Sequence, residues 1–484
     1  MKKKFGYFLQ TILTGLIFYG IWIHYNISVI QSYSLDELFG FFVVNKFSYA
    51  NIIMNHVEAT HPKGFYLLFK LLLDVFGEIQ NVRLVFFGIF ILSIVLIFFL
   101  FKKRYGKLGG LVASVIWIYS FNLTDLSYVL RMYNFGIFCS VASVYLLFNF
   151  LEKDKLKIKK LVFLLACNLI GFCFVYGFIY LVFVESLYLI FVYFKKIKQE
   201  KIWLYLVLEF LVMGVWLLIK NFFNKSEIEN LLSWVDKANM MRLILYTLSF
   251  LGIDPQSFVY SFEDLYLIVG GIFLFCFFVY KFNVLKNKWL MLFFMSLSTY
   301  LLMFGFSIVF DKPFFHQDQF FALLTLSTIC LIGLINDMLY LNDCNKIFGL
   351  VILMLFLIFN YNKINKNLVK NVYRDYDESM NNIFDTLNYN YEAYFIRNDL
   401  PFIYYQCGLG RNDDKERLKL CKKKTGFGVF DNFSGLKNLD GEYLVRVVSY
   451  RVDEFESLDF LNCKKYEDYY SFYLCTGSNE VGVD

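Results

Sequence analysis

Long apolar segments recur along the chain, and short charged segments separate them. Most of these runs have about the length that a helix needs to cross the hydrocarbon core of a bilayer. The runs cover residues 5–30, 84–101, 108–121, 134–151, 161–176, 178–194, 202–220, 263–280, 289–310, 319–340 and 347–360. This pattern predicts an all-α polytopic membrane protein with about eleven transmembrane helices.

The composition agrees with a membrane protein and excludes an ordinary soluble enzyme. Of the 484 residues, 58% are hydrophobic, 21% are aromatic and only 18% are charged, and the mean hydropathy is +0.53. Soluble domains are typically about 45–50% apolar and about 25% charged. The net charge of +6 is therefore informative through its distribution over the loops.

The distribution of basic residues predicts the orientation of the helices. Residues 2–4 are lysines that precede the first apolar run, and no small-residue cleavage site follows that run. We interpret the run as an uncleaved first helix with a cytoplasmic N-terminus. Basic clusters at 102–107, 152–160, 195–201 and 281–288 then lie on the cytoplasmic side, as the positive-inside rule requires. The prediction is a multi-pass protein of the cytoplasmic membrane.

The last part of the chain has a different character. From residue 361 onward hydrophobicity falls, charges of both signs appear, and Gly, Asn and Asp mark turns. Residues 442–452 and 469–475 have the β-branched and aromatic content of strands. We predict a transmembrane domain over residues 1–360 and a small extracytoplasmic α+β domain over residues 361–484.

Four cysteines, Cys407, Cys421, Cys463 and Cys475, lie in this predicted outer domain. An even number of cysteines in an oxidising compartment indicates disulfides, and four cysteines allow three connectivities. The local pairs 407–421 and 463–475 are the connectivity we expect. Zinc is the competing interpretation, although the spacings lack a CxxC signature.

The first outer loop, residues 31–82, contains the candidate chemistry. Asp36 and Glu37 are adjacent carboxylates that follow the first apolar run. One interpretation is a solvated helix start, because acidic residues are favoured in the first turn of a helix. The other is a pair that faces a cavity, because ionisable residues near the bilayer commonly do so.

Two further segments on the same side carry basic residues. Pro62 favours a helix start, and residues 61–77 are amphipathic enough to form a helix that lies along the membrane surface. The segment "DLSYVLRMYNFG" (125–136) places Arg131 at the outer end of a crossing helix. Its guanidinium group could extend toward the membrane interface, or it could bind a phosphate through its planar set of donors.

The order of these segments resembles the GT-C superfamily of polytopic glycosyltransferases. The order along the chain is the Asp36–Glu37 pair, "HPKGFYLLFK" (61–70), Arg83 and "RMY" (131–133), and the stretches that match the family are Asp36–Glu37, His61–Leu68 and Arg131–Tyr133. The nearest branch is the protein O-mannosyltransferase and aminoarabinose-transferase-like one, which is similar to glycosyltransferase family 39. The resemblance covers residues 5–200 well. Lys63 replaces the second proline of the family pattern, and Gln319–Phe320 replaces a frequent Arg-Tyr pair.

The resemblance implies a GT-C fold and transfer of a sugar, with inversion, from a polyprenyl-phosphate-linked donor to an extracytoplasmic acceptor. The acceptor would be a lipid, a glycan or a protein, and nucleic acid is not an expected partner. Inverting transfer needs a carboxylate base for the acceptor hydroxyl and cations for the phosphate leaving group. The implied catalytic residues are Asp36, as general base, and Glu37; the implied phosphate ligands are Arg131, Lys63 and His61; the accessory candidates are Tyr133, Glu58, Asp125 and His316.

Two alternatives stay open at this point. Glu58 and Asp125 could complete an acidic cluster that holds a divalent metal ion, whereas the nearest branch generally requires none. A non-catalytic lipid or glycan transporter would also have many apolar helices. Such a protein should show inverted repeats or broken helices with polar residues at the membrane midplane, and the sequence contains no repeat that we detect.

Overall fold

The computed structural model describes residues 2–30, 35–54, 62–120, 129–151, 158–193, 287–309 and 321–340, helical pieces within 203–214 and 349–357, and five strands after residue 391. Within it the chain divides into two compact units. The helical unit contains residues 1–29 and 55–368, and the sheet unit contains residues 30–54 and 369–484. The predicted domain boundary near residue 360 stays a prediction.

The apolar runs form helices wherever the structure describes them. The helices are α1 (Lys2–Ile30), α2 (Leu35–Lys46), α3 (Tyr49–Met54), α4 (Lys63–Phe76), α5 (Ile79–Ile118), α6 (Tyr133–Leu151), α7 (Ile158–Phe174), α8 (Phe178–Tyr193), α9 (Lys288–Val309) and α10 (Phe321–Tyr340). Among the described residues, four segments are long and apolar enough to cross a membrane, namely Gly6–Val29, Ile79–Ile118, Lys288–Gly305 and Phe321–Tyr340. The protein is therefore a multi-pass membrane protein. The run 263–280 lies outside the described residues, so the total of eleven crossings stays a prediction.

Helix α5 reverses direction at Gly106. This glycine has a φ of +72°, a conformation that L-residues with a side chain rarely adopt. Beyond it the chain folds back, so that the indole Nε1 of Trp117 donates a hydrogen bond to Ser93 Oγ at 3.0 Å. α5 is thus a helical hairpin, and the two separate helices predicted at 84–101 and 108–121 are confirmed.

Aromatic and polar contacts join the turn of α5 to the start of α9 and the end of α10. The Tyr105 hydroxyl donates to Asp337 Oδ1 at 2.5 Å and accepts a hydrogen bond from Trp289 Nε1 at 2.9 Å. The Trp289 ring also lies directly over Gly333, where a Cβ atom would come within 2.2 Å of the indole. The absence of a side chain at Gly333 therefore allows α9 and α10 to pack closely.

The sheet unit contains a mixed five-stranded sheet. Its strands are β1 (Glu392–Ile396), β2 (Phe427–Phe430), β3 (Gly441–Arg446), β4 (Leu461–Lys465) and β5 (Phe472–Gly477), in the order β2-β1-β3-β5-β4. β1 pairs in parallel with β2 and β3, and β5 pairs antiparallel with β3 and β4. The predicted strand segments 442–452 and 469–475 correspond to β3 and β5, which confirms strand content in a C-terminal domain.

Candidate functional site

Four phenylalanine rings connect four helices of the helical unit. Phe65 of α4 meets Phe86 of α5 edge-on, with ring centroids 6.1 Å apart. Phe86 meets Phe135 of α6 at 5.0 Å, and Phe135 stacks on Phe174 of α7 at 4.8 Å. We call these four rings the phenylalanine column. The column fixes which parts of α4, α5, α6 and α7 lie side by side.

A basic residue precedes three rings of the column by two to four positions. Lys63 precedes Phe65, Arg83 precedes Phe86, and Arg131 precedes Phe135. Lys63 of α4, Arg83 of α5 and Arg131, which precedes α6, thus each lie within four residues of a ring of the phenylalanine column. We call Lys63, Arg83 and Arg131 the basic trio. Such a set of cations in an apolar protein attracts an anion, and a phosphate suits the fork of an arginine.

The Arg131 side chain is buried in the protein. Only 6% of its surface is exposed, which argues against a side chain that merely extends to the membrane interface. Its turn is held by Val129, whose carbonyl oxygen accepts hydrogen bonds from the Arg131 amide at 2.8 Å and from Asn134 Nδ2 at 3.3 Å. Tyr133, also buried, lies 5.8 Å from Phe321 at the start of α10, measured between ring centroids.

Arg83 is buried beside the end of α1. Its Nη1 lies 3.5 Å from the carbonyl oxygen of Ser28, and Gln80 Nε2 donates to the same oxygen at 3.3 Å. A cation near the last carbonyl groups of a helix interacts favourably with the helix dipole. Arg83 and Gln80 therefore stabilise the end of α1 at Ser28, eight residues before Asp36 in sequence.

Lys63 begins helix α4, directly after Pro62. The apolar side chains Phe65, Phe69 and Leu73 are buried on one face of α4, as the amphipathic pattern predicts. Gly64 packs so closely on the end of α7 that a Cβ atom would lie 2.4 Å from the Cys173 carbonyl oxygen. Partial burial lowers the pKa of Lys63 below its ordinary value, because desolvation disfavours the charged amine.

The two predicted catalytic carboxylates are the second and third residues of α2 in the sheet unit. Glu37 is buried, with 1% of its surface exposed. The backbone of Asp36 is helical, and its side chain lies outside the described residues. Both residues thus occupy a first helical turn, as the simpler interpretation of the pair expects. The burial of Glu37 is not what a solvated helix start would show.

The remaining predicted site residues, Glu58, His61, Asp125 and His316, lie outside the described residues. Their assignments stay predictions. Over the part of the chain that the structure describes, no three His, Cys, Asp or Glu side chains come together in a way that could hold a metal ion.

The sequence pattern did not identify a polar network in the middle of the apolar helices. Ser143 of α6, Asn168 of α7 and Glu185 of α8 are buried and hydrogen-bonded together, and Asn168 Nδ2 also donates to Glu209 Oε1 at 2.6 Å. The signal that could have found this network is a carboxylate within an apolar run, because ionisable residues inside a membrane rarely face lipid.

Comparisons with known proteins were made for the sequence and for the fold. Residues 60–220 match the family model described as dolichyl-phosphate-mannose-protein mannosyltransferase. The crystal structure of ArnT from Cupriavidus metallidurans bound to undecaprenyl phosphate has a similar fold, with a TM-score of 0.51, 10% identity and 100% of each chain covered. For ArnT from the same organism in the apo state, the TM-score is 0.52, the identity is 10%, and 96% of this chain and 98% of that chain are covered. No curated protein matches this sequence significantly.

These findings confirm the predicted fold class and the resemblance to the GT-C superfamily. The family match includes Lys63, Arg83 and Arg131 of the basic trio. The structural likeness extends over the whole chain and therefore includes the later helices, where the sequence motifs alone gave little support.

Proposed function

We propose that this protein, which has the GT-C fold, is a polyprenyl-phosphate-dependent glycosyltransferase. It transfers a sugar from a polyprenyl-phosphate-linked donor to an acceptor outside the cytoplasmic membrane, with inversion at the anomeric carbon. The family match over residues 60–220 and the similarity to an ArnT structure that holds undecaprenyl phosphate support this proposal. The single observation that carries it is the basic trio, since Lys63, Arg83 and Arg131 each lie within four residues of the phenylalanine column in an apolar helical unit.

The reaction requires a base and a stabilised leaving group. In the proposal, Asp36 accepts the proton of the acceptor hydroxyl while the hydroxyl oxygen attacks the anomeric carbon. The bond from that carbon to the phosphate oxygen breaks, and negative charge develops on the polyprenyl phosphate. Arg131 and Lys63 stabilise this charge with charge-assisted hydrogen bonds. An adjacent Glu37 orients the acceptor.

The remaining candidates have supporting roles in this proposal. His61 binds the donor phosphate beside Lys63. Tyr133 closes the Arg131 turn against α10, and His316 approaches the donor from the segment before α10. Glu58 and Asp125 are the residues that would hold a divalent ion if the reaction uses one. In this proposal the basic trio faces the outer side of the membrane, where the donor sugar is transferred to the acceptor.

A transporter is the second candidate, and the Glu185 network bears on it. Transporters bind their substrates where helices are broken near the membrane midplane. α7 is continuous over Ile158–Phe174 and α8 over Phe178–Tyr193, so the network joins intact helices. Because these helices are intact, we assign the polar network a structural role. This favours glycosyl transfer over transport as the function of the protein.

The experiment compares cell-envelope glycans and polyprenyl-linked sugars in a strain that lacks this protein. The strain is complemented with the wild type, with Asp36→Asn or with Glu78→Gln, and both fractions are analysed by mass spectrometry. Glu78 is an exposed acidic residue at the start of α5 and serves as the matched control. We expect the deletion to remove a glycan and to accumulate one polyprenyl-phosphate sugar, and the wild type and Glu78→Gln to reverse both changes.

Asp36→Asn should reach the membrane at the wild-type level and reverse neither change. Full complementation by Asp36→Asn would exclude Asp36 as the base. A deletion strain with unchanged glycans and unchanged polyprenyl-linked sugars would contradict the proposed function itself.

A further inference from the structure

We infer that Cys463 and Cys475 form a disulfide that joins strands β4 and β5. The two residues are direct partners in the antiparallel register of these strands. The flanking pairs, Asn462 with Thr476 and Lys464 with Leu474, continue the same register without a bulge. This inference concerns the sheet unit alone and does not depend on the proposed glycosyl transfer.

The backbone geometry of such a pair fits a disulfide. Directly opposed residues in antiparallel strands have Cα atoms about 4.5–5.5 Å apart. Disulfides span Cα separations of about 4.4–6.8 Å. Opposed residues also share one face of the sheet, since side chains alternate along each strand. Cys463 and Cys475 therefore occupy positions that can be bridged without moving the backbone.

The other strand beside β5 provides no competing partner. Across that side Cys475 is in register with Tyr443 of β3. Within the five strands of the sheet, Cys463 is thus the cysteine in register with Cys475. The register selects 463–475 from the pairings that a count of cysteines leaves open.

The position of β4 gives the bond a structural role. β4 is an edge strand that contacts β5 alone in the sheet order. An edge strand exposes backbone donors and acceptors to other chains, and it separates easily because it is paired on one side. A covalent bond to β5 holds β4 in register. It also closes a covalent loop that contains the connection between the two strands.

The chemistry is thiol–disulfide exchange with an extracytoplasmic protein disulfide as the oxidant. One cysteine thiolate attacks that disulfide and forms a mixed disulfide, and the other thiolate then displaces the oxidant. The S–S bond of Cys463–Cys475 forms, two protons leave the two thiols, and the two electrons reduce the oxidant to its dithiol. An exchange of this kind needs the oxidising side of the membrane.

Mass spectrometry of the full-length protein tests the bond. Free thiols are first blocked with an alkylating reagent in intact membranes, and the protein is then digested with and without reduction. We expect a cross-linked peptide that contains Cys463 and Cys475 and that disappears after reduction. Cys139 and Cys330, which are buried free thiols of the helical unit, should become alkylated after unfolding without reduction.

Single substitutions and an impermeant reagent make the test decisive. In intact cells, a membrane-impermeant maleimide should label Cys475 in Cys463→Ser and Cys463 in Cys475→Ser, while neither residue is labelled in the wild type. Labelling of both residues in the untreated wild type would overturn the inference. It would also be overturned by a cross-link of either cysteine to Cys407 or Cys421, or by labelling that requires permeabilised cells.

Discussion

The hydroxyl oxygen of Ser143 lies 2.8 Å from each carboxylate oxygen of Glu185, and the two residues belong to different helices, α6 and α8. Asn168 of α7 completes the contact by donating to Glu185 Oε2 at 3.1 Å. Three apolar helices are thus joined by polar groups that are buried inside the helical unit. Because such groups are costly to leave unsatisfied, the network should contribute to the stability of the helical unit.

Replacement of Glu185 by leucine should lower the stability of the protein by about 1–3 kcal/mol, since Ser143 and Asn168 each lose one of their acceptors. Glu185→Gln retains a carbonyl oxygen and an amide group, and it should cost less. The measurement is thermal unfolding in detergent, followed by circular dichroism. A double-mutant cycle with Ser143→Ala should show coupling between the two residues. Additive effects in that cycle would show that the contact contributes nothing.

Arg131→Lys tests whether the planar guanidinium group is needed for the donor. Lysine keeps the charge but cannot form the paired hydrogen bonds of arginine. Loss of one charge-assisted hydrogen bond, at about 1.5–3 kcal/mol, corresponds to a rise in donor KM of about ten- to a hundredfold. Steady-state kinetics with membranes that contain the variant measure this change.

Lys160→Gln is the matched control for Arg131→Lys. Lys160 donates to the carbonyl oxygen of Asn149 at 2.9 Å, near the end of α6 that is remote in sequence from Arg131. Its loss removes a positive charge from the protein but not from the basic trio, so donor KM should stay at the wild-type value. An equal rise in donor KM in Lys160→Gln would mean that the effect of Arg131→Lys is not specific to the Arg131 guanidinium group.

The lowered pKa of Lys63 predicts an alkaline limit to donor binding. Desolvation favours the neutral amine, so Lys63 loses its proton at a lower pH than an ordinary lysine. As pH rises through this lowered pKa, the positive charge is lost and kcat/KM for the donor should fall. Lys63→Arg keeps its charge over the whole accessible range, so its fall should begin at higher pH. If kcat/KM of Lys63→Arg fell at the same alkaline pH as that of the wild type, another group would be responsible for the fall.

Gly64 tests the placement of Lys63 without altering any charge. A Cβ atom at Gly64 would lie 2.4 Å from the Cys173 carbonyl oxygen, and the backbone of α7 cannot yield cheaply. Gly64→Ala should therefore displace the start of α4 and reduce transfer, with little change in helix content. Gly88→Ala in α5 is the control, because a Cβ atom there meets nothing within 4 Å. Full activity of Gly64→Ala would show that the position of α4 is not critical.

The sequence predicted the helices well because crossing a bilayer demands long apolar runs, and these are visible in a single chain. It also located the turn between the two arms of α5, since "KKRYGK" interrupts an apolar pattern. The sequence could not show that Arg131 is buried. Arg131 precedes α6, and the packing of α6 involves Phe86 and Phe174 of other helices, which a local pattern does not reveal.

The sequence could not predict which distant segments of the chain pair with one another. The strand content of β3 and β5 follows from local composition, whereas the parallel pairing of β1 with β3 joins residues about fifty positions apart and leaves no local signal. In the same way, the partners of Glu185 lie on α6 and α7, so an isolated glutamate in an apolar run indicates only that some partner exists.

The hairpin of α5 has a consequence for the biogenesis of this protein. Trp117 donates its indole hydrogen to Ser93, so the first arm of the hairpin supplies the acceptor for the buried indole of the second arm. This hydrogen bond can form only when both arms of the hairpin are present. We expect the two arms to leave the translocon together, as one inserted unit.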